Sequence, residues 1–156
     1  MRVVALDPGG TTGWAFWDSD RSTFGQITEE GQLGPGSHHT ELWVLLRTLD
    51  PDVVVCESFL YRQQANAVLV SCEYIGVVEL FYQVKQKTFT GKKLVYQTAS
   101  VIHGGGPWDD VALKKLGLWT RGARHANDAK LHLINYLAEN KRGPRQTAWY
   151  YLLRDA

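Results

Sequence analysis

Long apolar runs, low-complexity tracts and surplus charge are all missing from this 156-residue chain, and cysteine is scarce. No stretch approaches the roughly 18 consecutive apolar residues of a membrane-spanning helix, which sets aside a helical membrane protein. No signal-peptide pattern opens the chain, so secretion is not expected. Cys56 and Cys72 are too few for a disulfide framework. Both sit in apolar stretches and read as reduced, buried thiols of a cytoplasmic protein. A net charge of +1 argues against a purely electrostatic nucleic-acid binder. The run Gly104-Gly105-Gly106-Pro107 lacks the spacing and the lysine of a phosphate-cradling loop and reads as a flexible connection.

What is present suits one domain with a substantial core. Six Trp and seven Tyr are many for this length, and serve equally as base-stacking surfaces or as core and subunit contacts. Charge is unevenly spread. From Val111 to Arg145 there are eight lysines and arginines (Lys114, Lys115, Arg121, Arg124, Lys130, Lys141, Arg142 and Arg145) against Asp128 and Glu139, so the rest of the chain is net acidic. That asymmetry fits a basic face for a polyanion beside an acidic centre, or simply a solvated helical surface.

The organising stretch is the opening. Val3-Val4-Ala5-Leu6 is a short apolar run suited to a strand covered on both faces, and it ends in Asp7 before Pro8-Gly9-Gly10 forces a turn. A carboxylate at the end of a central strand must be solvated, paired or bound to a metal, unless Asp7 merely begins an Asp-Pro-Gly turn. Thr11–Trp17 and Ser22–Leu33, with Phe24 and Ile27 as anchors, complete an antiparallel meander. Ser37 or Thr40 caps a helix through Leu49, carried by Leu42, Leu45, Leu46 and Leu49 at helical spacing. Val53–Cys56 is a second apolar strand, and it too ends in a carboxylate, Glu57. Strand, helix, strand is the connection a parallel pair requires, so Asp7 and Glu57 are expected at one sheet edge.

A polar and aromatic loop from Ser58 to Gln64 leads into a helix over 65–87. Val68, Leu69, Cys72 and Ile75 on one side and Val70, Tyr74, Val77 and Phe81 elsewhere make it apolar nearly all round. In a small domain a second subunit is the expected cover. Lys92–Thr98 reads as a strand and Asp109–Leu118 as a short helix. The last long helix opens at His125-Ala126-Asn127-Asp128, ends near Asn140, and carries His125 and Asp128 on one face. His132, His103 and the pair His38-His39 read as structural or exposed. Asp7, Glu57 and Asp128 with His125 form an oxygen-rich set suited to Mg²⁺ or Mn²⁺, two of which can activate water on a phosphodiester. Asp128 at a helix start could equally serve only that helix.

Asp7-Pro8-Gly9-Gly10-Thr11-Thr12-Gly13-Trp14-Ala15, the strand-end Glu57 and His125-Ala126-Asn127-Asp128-Ala129 resemble the RuvC family of Holliday junction resolvases, from about Arg2 to Asn140. The resemblance implies an α/β, RNase H-like fold with a five-stranded mixed sheet flanked by helices on both sides. It also implies a homodimer through the 65–87 helix and Mg²⁺-dependent nicking of four-way DNA junctions, with two ions per site and Mn²⁺ as a substitute. Asp7, Glu57 and Asp128 then match acidic metal ligands. His125 stands where many members have aspartate and some histidine, making it the fourth catalytic ligand. The loop that inserts an aromatic at the junction falls on Phe59, Leu60, Tyr61 and Arg62, with Leu60 at the aligned position. The segment His103–Asp110 carries none of the lysines usual before the penultimate helix, and Lys114, Lys115, Arg121 and Arg124 are the expected DNA-binding replacements. Residues 1–142 would form the nuclease domain, and the tail 143–156, with its apolar Trp149–Leu153, would pack on the body or a partner. Short, divergent members are typical of phages, whose enzymes act in the host cytoplasm. The rivals are an RNase H-like nuclease acting on RNA, a non-catalytic dimer that binds branched DNA, and the actin-like kinase fold, for which the chain lacks a nucleotide-clamping second domain.

Overall fold

A computed structural model describes residues 1–21, 26–58, 65–86, 91–103 and 108–140, the side chains of 65–69 and 103 excepted. The chain builds β1 (Arg2–Asp7), β2 (Thr12–Asp18), β3 (Glu29–Leu33), α1 (His39–Leu49), β4 (Val53–Ser58), α2 (Ala65–Gln86), β5 (Lys93–Thr98), the short α3 (Ser100–His103) and α4 (Asp110–Lys115), and α5 (Arg124–Glu139). One five-stranded sheet runs in the order β3-β2-β1-β4-β5. β1, β2 and β3 form the expected antiparallel meander, while β4 lies parallel to both β1 and β5. This is an α/β fold with a mixed sheet.

Period-two alternation divides the central strands between two cores. Val4 and Leu6 of β1 and Val54 and Cys56 of β4 pack with Leu42 and Leu46 of α1 and Tyr74, Val78 and Phe81 of α2. Val3, Ala5, Val53 and Val55 face the opposite way, against Ala129, Leu133, Tyr136 and Leu137 of α5. Both faces are thus covered, which is why β1 and β4 read as unbroken apolar runs. The far side of α5 packs on α3 and α4 through Ile102, Trp108, Leu113, Leu131 and Ile134. Enclosed on two sides, α5 is buried at every position from Ala126 to Leu137.

Several sequence expectations change. β3 is confined to Glu29–Leu33, with Ile27 half-buried against both α5 cores, and Phe24 lies outside the described residues. β4 runs on to Ser58 because its ladder with β5 continues through Glu57 opposite Gln97 and Ser58 opposite Thr98. Ser100–His103 is a helical turn rather than part of a loose connection; 104–107 lie outside the described residues. Cys72 is exposed, not buried, because α2 turns it away from the sheet; only Cys56 is a core thiol. Among the described side chains of α2, Ser71, Tyr74, Val78 and Phe81 are buried while Val70, Leu80 and Val84 are exposed, so the apolar surplus is an outward stripe. The tail 143–156 and Phe59–Arg62 lie outside the described residues. Among the described residues no helix is long and apolar enough to cross a membrane.

At the end of the sheet remote from Asp7, one carboxylate fastens three segments. Asp50 ends α1 in a left-handed conformation (φ 40°). It accepts hydrogen bonds from Arg2 at 3.0 Å, Lys85 at 2.9 Å and Lys92 at 3.0 Å. Burial opposes its ionisation, but the hydrogen bonds from Lys85 and Lys92 win and hold it well below the ordinary carboxylate range. A depressed carboxylate stabilises the fold above its unfolded value of 3.8 and loses that contribution as the pH falls further. Asp50→Asn is therefore expected to lower Tm at pH 7, with the deficit shrinking below pH 4; thermal melts across pH check it, and an equal deficit at every pH would contradict it.

Candidate metal centre at the sheet edge

Asp7 and Glu57 leave the sheet on the same side for a reason visible in the strand parity. Val3, Ala5 and Asp7 share one face of β1, and Val53, Val55 and Glu57 the same face of β4, with Leu6 opposite Cys56 in the parallel register. Both carboxylates therefore point toward α5. They are buried, at 8% and 5% exposure, where an unpaired charge is costly.

The first turn of α5 comes to meet them. At Gly13, which pairs with Asp7 across β1 and β2, an added Cβ would lie 1.9 Å from the His125 carbonyl oxygen. Only a glycine there lets the helix start rest on the strand. The helix has no side-chain cap of its own, because Ala123 occupies that position. Gln32 of β3, the strand partner of Gly13, supplies the missing acceptor. Its Oε1 accepts the backbone N–H of His125 at 3.0 Å and of Ala126 at 3.4 Å. A knot around Lys130 holds the other side. Its ammonium, fully buried, donates to the Leu118 carbonyl at 2.7 Å and Thr120 Oγ1 at 2.8 Å and pairs with Glu30 at 2.5 Å. Lys130 thus belongs to the scaffold and leaves the basic face, since its charge is spent on β3 and the loop before α5.

With α5 so fixed, ligand atoms of Asp7, His125 and Asp128 lie within 4.8 Å of one another. His125 Nδ1 sits 2.7 Å from Asp7 Oδ2. Glu57 stands one strand away, its Oε2 taking a 2.9 Å hydrogen bond from Nε2 of His132. Burial first, then the charges of Glu57 and Asp128, push the Asp7 carboxyl up to about 6 against the opposing hydrogen bond from His125. A buried, oxygen-rich, mutually repelling set of this kind fits a divalent cation, which removes the repulsion. Beside Asp128, a groove of about 550 Å³ between α4 and the start of α5 is lined by Trp119, Val111, Leu131, Asp110 and Arg124.

Of the sequence-derived basic residues, Arg124 lines this groove and Lys114 lies against Trp119 at its wall. Lys114 and Lys115 close α4, with the Lys114 ammonium 4.9 Å from the Trp119 ring centroid. Arg121 is exposed in the preceding turn. Arg124 is the first residue of α5, exposed, with Nε 4.0 Å from Asp128. Gln32, Gln97 and His132 were not legible as site residues. His38, expected to be structural, is: its Nδ1 lies 2.7 Å from the Gly36 carbonyl and its Nε2 2.7 Å from Thr12 Oγ1, with the ring stacked on Tyr74. His132 departs from the expectation that nothing converges on it; its place four residues beyond Asp128 on the same helix face was the available signal.

A mixed sheet whose two central strand-end carboxylates face His125 and Asp128 of one helix defines an α/β protein with a candidate metal centre at its sheet edge. Solved structures agree along nearly the whole chain. Thermus thermophilus RuvC, in complex with a Holliday junction substrate, superposes with a TM-score of 0.61 at 15% identity, covering 97% of this chain and 94% of that one. The fowlpox virus Holliday junction resolvase gives 0.53 at 13% identity, covering 89% and 99%. The yeast mitochondrial Holliday junction resolvase gives 0.50 at 11%, covering 98% and 82%. The chain has the RNase H-like fold of the RuvC-type Holliday junction resolvases. No protein-family model matches it. In sequence, 95 residues are 32% identical to the tRNA-specific 2-thiouridylase MnmA of Halalkalibacterium halodurans, over 53% of this chain; the chain spans about a quarter (26%) of that protein.

Two outcomes test this geometry. Gly13→Ala is expected to push α5 off β2, costing about 1–3 kcal/mol by overpacking and weakening cation binding; urea unfolding and a metal titration check it. For Asp7, a folded value near 6 above the ordinary 3.8 means that the cation-free protein loses stability as the pH rises through that window. Asp7→Asn is therefore expected to be more stable than the wild type in EDTA at pH 7.5, by about 2–3 kcal/mol, the gap closing below pH 4. Melts in EDTA and Mg²⁺ check it, since only the wild type should gain from the ion.

Proposed function

We propose that this chain is a divalent-metal-dependent endonuclease that nicks branched DNA, four-way junctions foremost, by hydrolysing phosphodiesters. The observation that carries the reading is the gathering of Asp7, His125 and Asp128 at one sheet edge, with Glu57 one strand away, on a fold shared along its length with Holliday junction resolvases. Asp7, Glu57, Asp128 and His125 would hold the ions, Mg²⁺ with Mn²⁺ as substitute. Bound there, such ions supply a deprotonated water and Lewis-acid stabilisation of the phosphate and leaving oxygen.

The remaining work falls to the chain itself. His125 orients Asp7 through the 2.7 Å contact. Arg124 on the groove wall and Lys114 beside Trp119 would contact phosphates, joined by Lys115 and Arg121, with Trp119 as an aromatic face. Phe59, Leu60, Tyr61 and Arg62, directly after β4, would reach the branch point. Val70, Val77, Leu80 and Val84 recur at seven- and three-to-four-residue spacing on α2, three of them exposed, which supports a helix-mediated homodimer with two sites for paired cuts. The domain would comprise residues 1–142, with 143–156 as an appended tail.

The test is cleavage of labelled four-way, three-way and linear DNA, and of an RNA hairpin, in Mg²⁺ or EDTA. Paired nicks at the four-way junction are expected from the wild type in Mg²⁺. Asp7→Asn should bind the junction and leave it uncut; undiminished cutting by that variant overturns the assignment. Preferential cutting of RNA would support the ribonuclease rival, and binding without any cutting the non-catalytic one.

A further inference from the structure

His132 is the one imidazole buried among the described residues whose two nitrogens both meet side chains of the sheet edge. Its Nε2 lies 2.9 Å from Glu57 Oε2 and its Nδ1 2.8 Å from the side-chain amide of Gln97. Three elements make the meeting. Glu57 and Gln97 are direct partners in the β4–β5 ladder, and His132 lies one turn beyond Asp128 on α5. The ring is fully buried, where a polar group persists only if both nitrogens are paired.

The Gln97 amide accounts for the pairing. Its Nε2 is buried without a partner when Oε1 faces the ring. Turned over, the same amide donates Nε2–H to His132 Nδ1, and a neutral ring then carries its proton on Nε2, the atom that donates to Glu57. In that orientation Gln97 selects the tautomer, and the tautomer makes Nε2 the donor to Glu57 Oε2. Such outer contacts commonly fix how a carboxylate meets a metal. The point matters here because Glu57 lies outside the tight group of Asp7, His125 and Asp128.

We propose that His132 is a positioning residue for Glu57: with Gln97 behind it, it holds Oε2 and leaves Oε1 as the oxygen available to a divalent cation shared with Asp7, His125 and Asp128. The inference rests on the nuclease reading for its consequence in catalysis, but not for its consequence in cation binding.

The experiment measures Mn²⁺ affinity of the DNA-free protein, from the paramagnetic resonance signal of free Mn²⁺, beside the Mg²⁺ dependence of junction cleavage. His132→Phe is expected to weaken Mn²⁺ binding about 10–100-fold and to raise the Mg²⁺ requirement by a similar factor. His132→Gln, which keeps an N–H toward Glu57, should recover most of both. In a Glu57→Gln background, His132→Phe should change Mn²⁺ affinity no further, because its effect passes through Glu57. Wild-type Mn²⁺ affinity in His132→Phe overturns the proposal, as does equal loss in the Phe and Gln variants. Should His132→Phe fail to fold, Gln97→Met carries the test: weaker Mn²⁺ binding supports the proposal and unchanged binding overturns it. A wild type that binds Mn²⁺ yet cuts nothing overturns the nuclease reading alone, with His132 still judged by Mn²⁺ affinity; one that binds no Mn²⁺ overturns both.

Discussion

The close approach of α5 to β2 is the contact on which the site depends. With no side chain at Gly13, the His125 carbonyl sits where a Cβ would be, and the helix start is pressed onto the strand next to the one that carries Asp7. That approach strands the N–H groups of the first turn, and Gln32 relieves them from the neighbouring position of β3. A side chain at Gly13 or a shorter one at Gln32 would move the same two atoms, His125 Nδ1 and the Asp128 carboxylate, away from Asp7. The geometry is set by backbone packing, and the candidate ligands inherit it.

Electrostatics divides the sheet into two unlike ends. At the Asp50 end, one carboxylate meets three cations and its ionisation supports the fold. At the Asp7 end, carboxylates face one another in a buried place, and the ionised form of Asp7 is disfavoured. The first arrangement stabilises the protein as it stands. The second stores repulsion that a divalent cation would relieve, which distinguishes this candidate centre from a structural ion-pair cluster. Lys130, the nearby buried cation, is committed to Glu30, Thr120 and the Leu118 carbonyl, so it holds α5 in place without neutralising the site.

Much of this was readable in the linear chain, because it follows from short-range regularities. Apolar runs ending in Asp7 and Glu57, joined by a helix, require a parallel pair with both carboxylates at one edge. Alternation then sends both to one face, and three-residue spacing puts His125 and Asp128 on one side of their helix. The misreadings share a cause. Lys130 reads as part of the basic face because a sequence shows its charge and not its partners. Cys72 reads as buried because its neighbours are apolar, although helical rotation turns it outward. His132 carries little signal of its role because its partner Glu57 is 75 residues away.

The sequence by itself determined most of the elements, their order and the identity of the four candidate ligands, since period, parity and residue chemistry are local properties; the α/β class followed from the resemblance those residues carry. Tertiary structure alone decided which charges are spent internally, how Gln32 reaches a helix start 93 residues later, and that Glu57 is held by His132 apart from the other three. Those outcomes depend on what lies across a packed interface. Only the closing of α5 onto the sheet brings the partners within hydrogen-bonding distance.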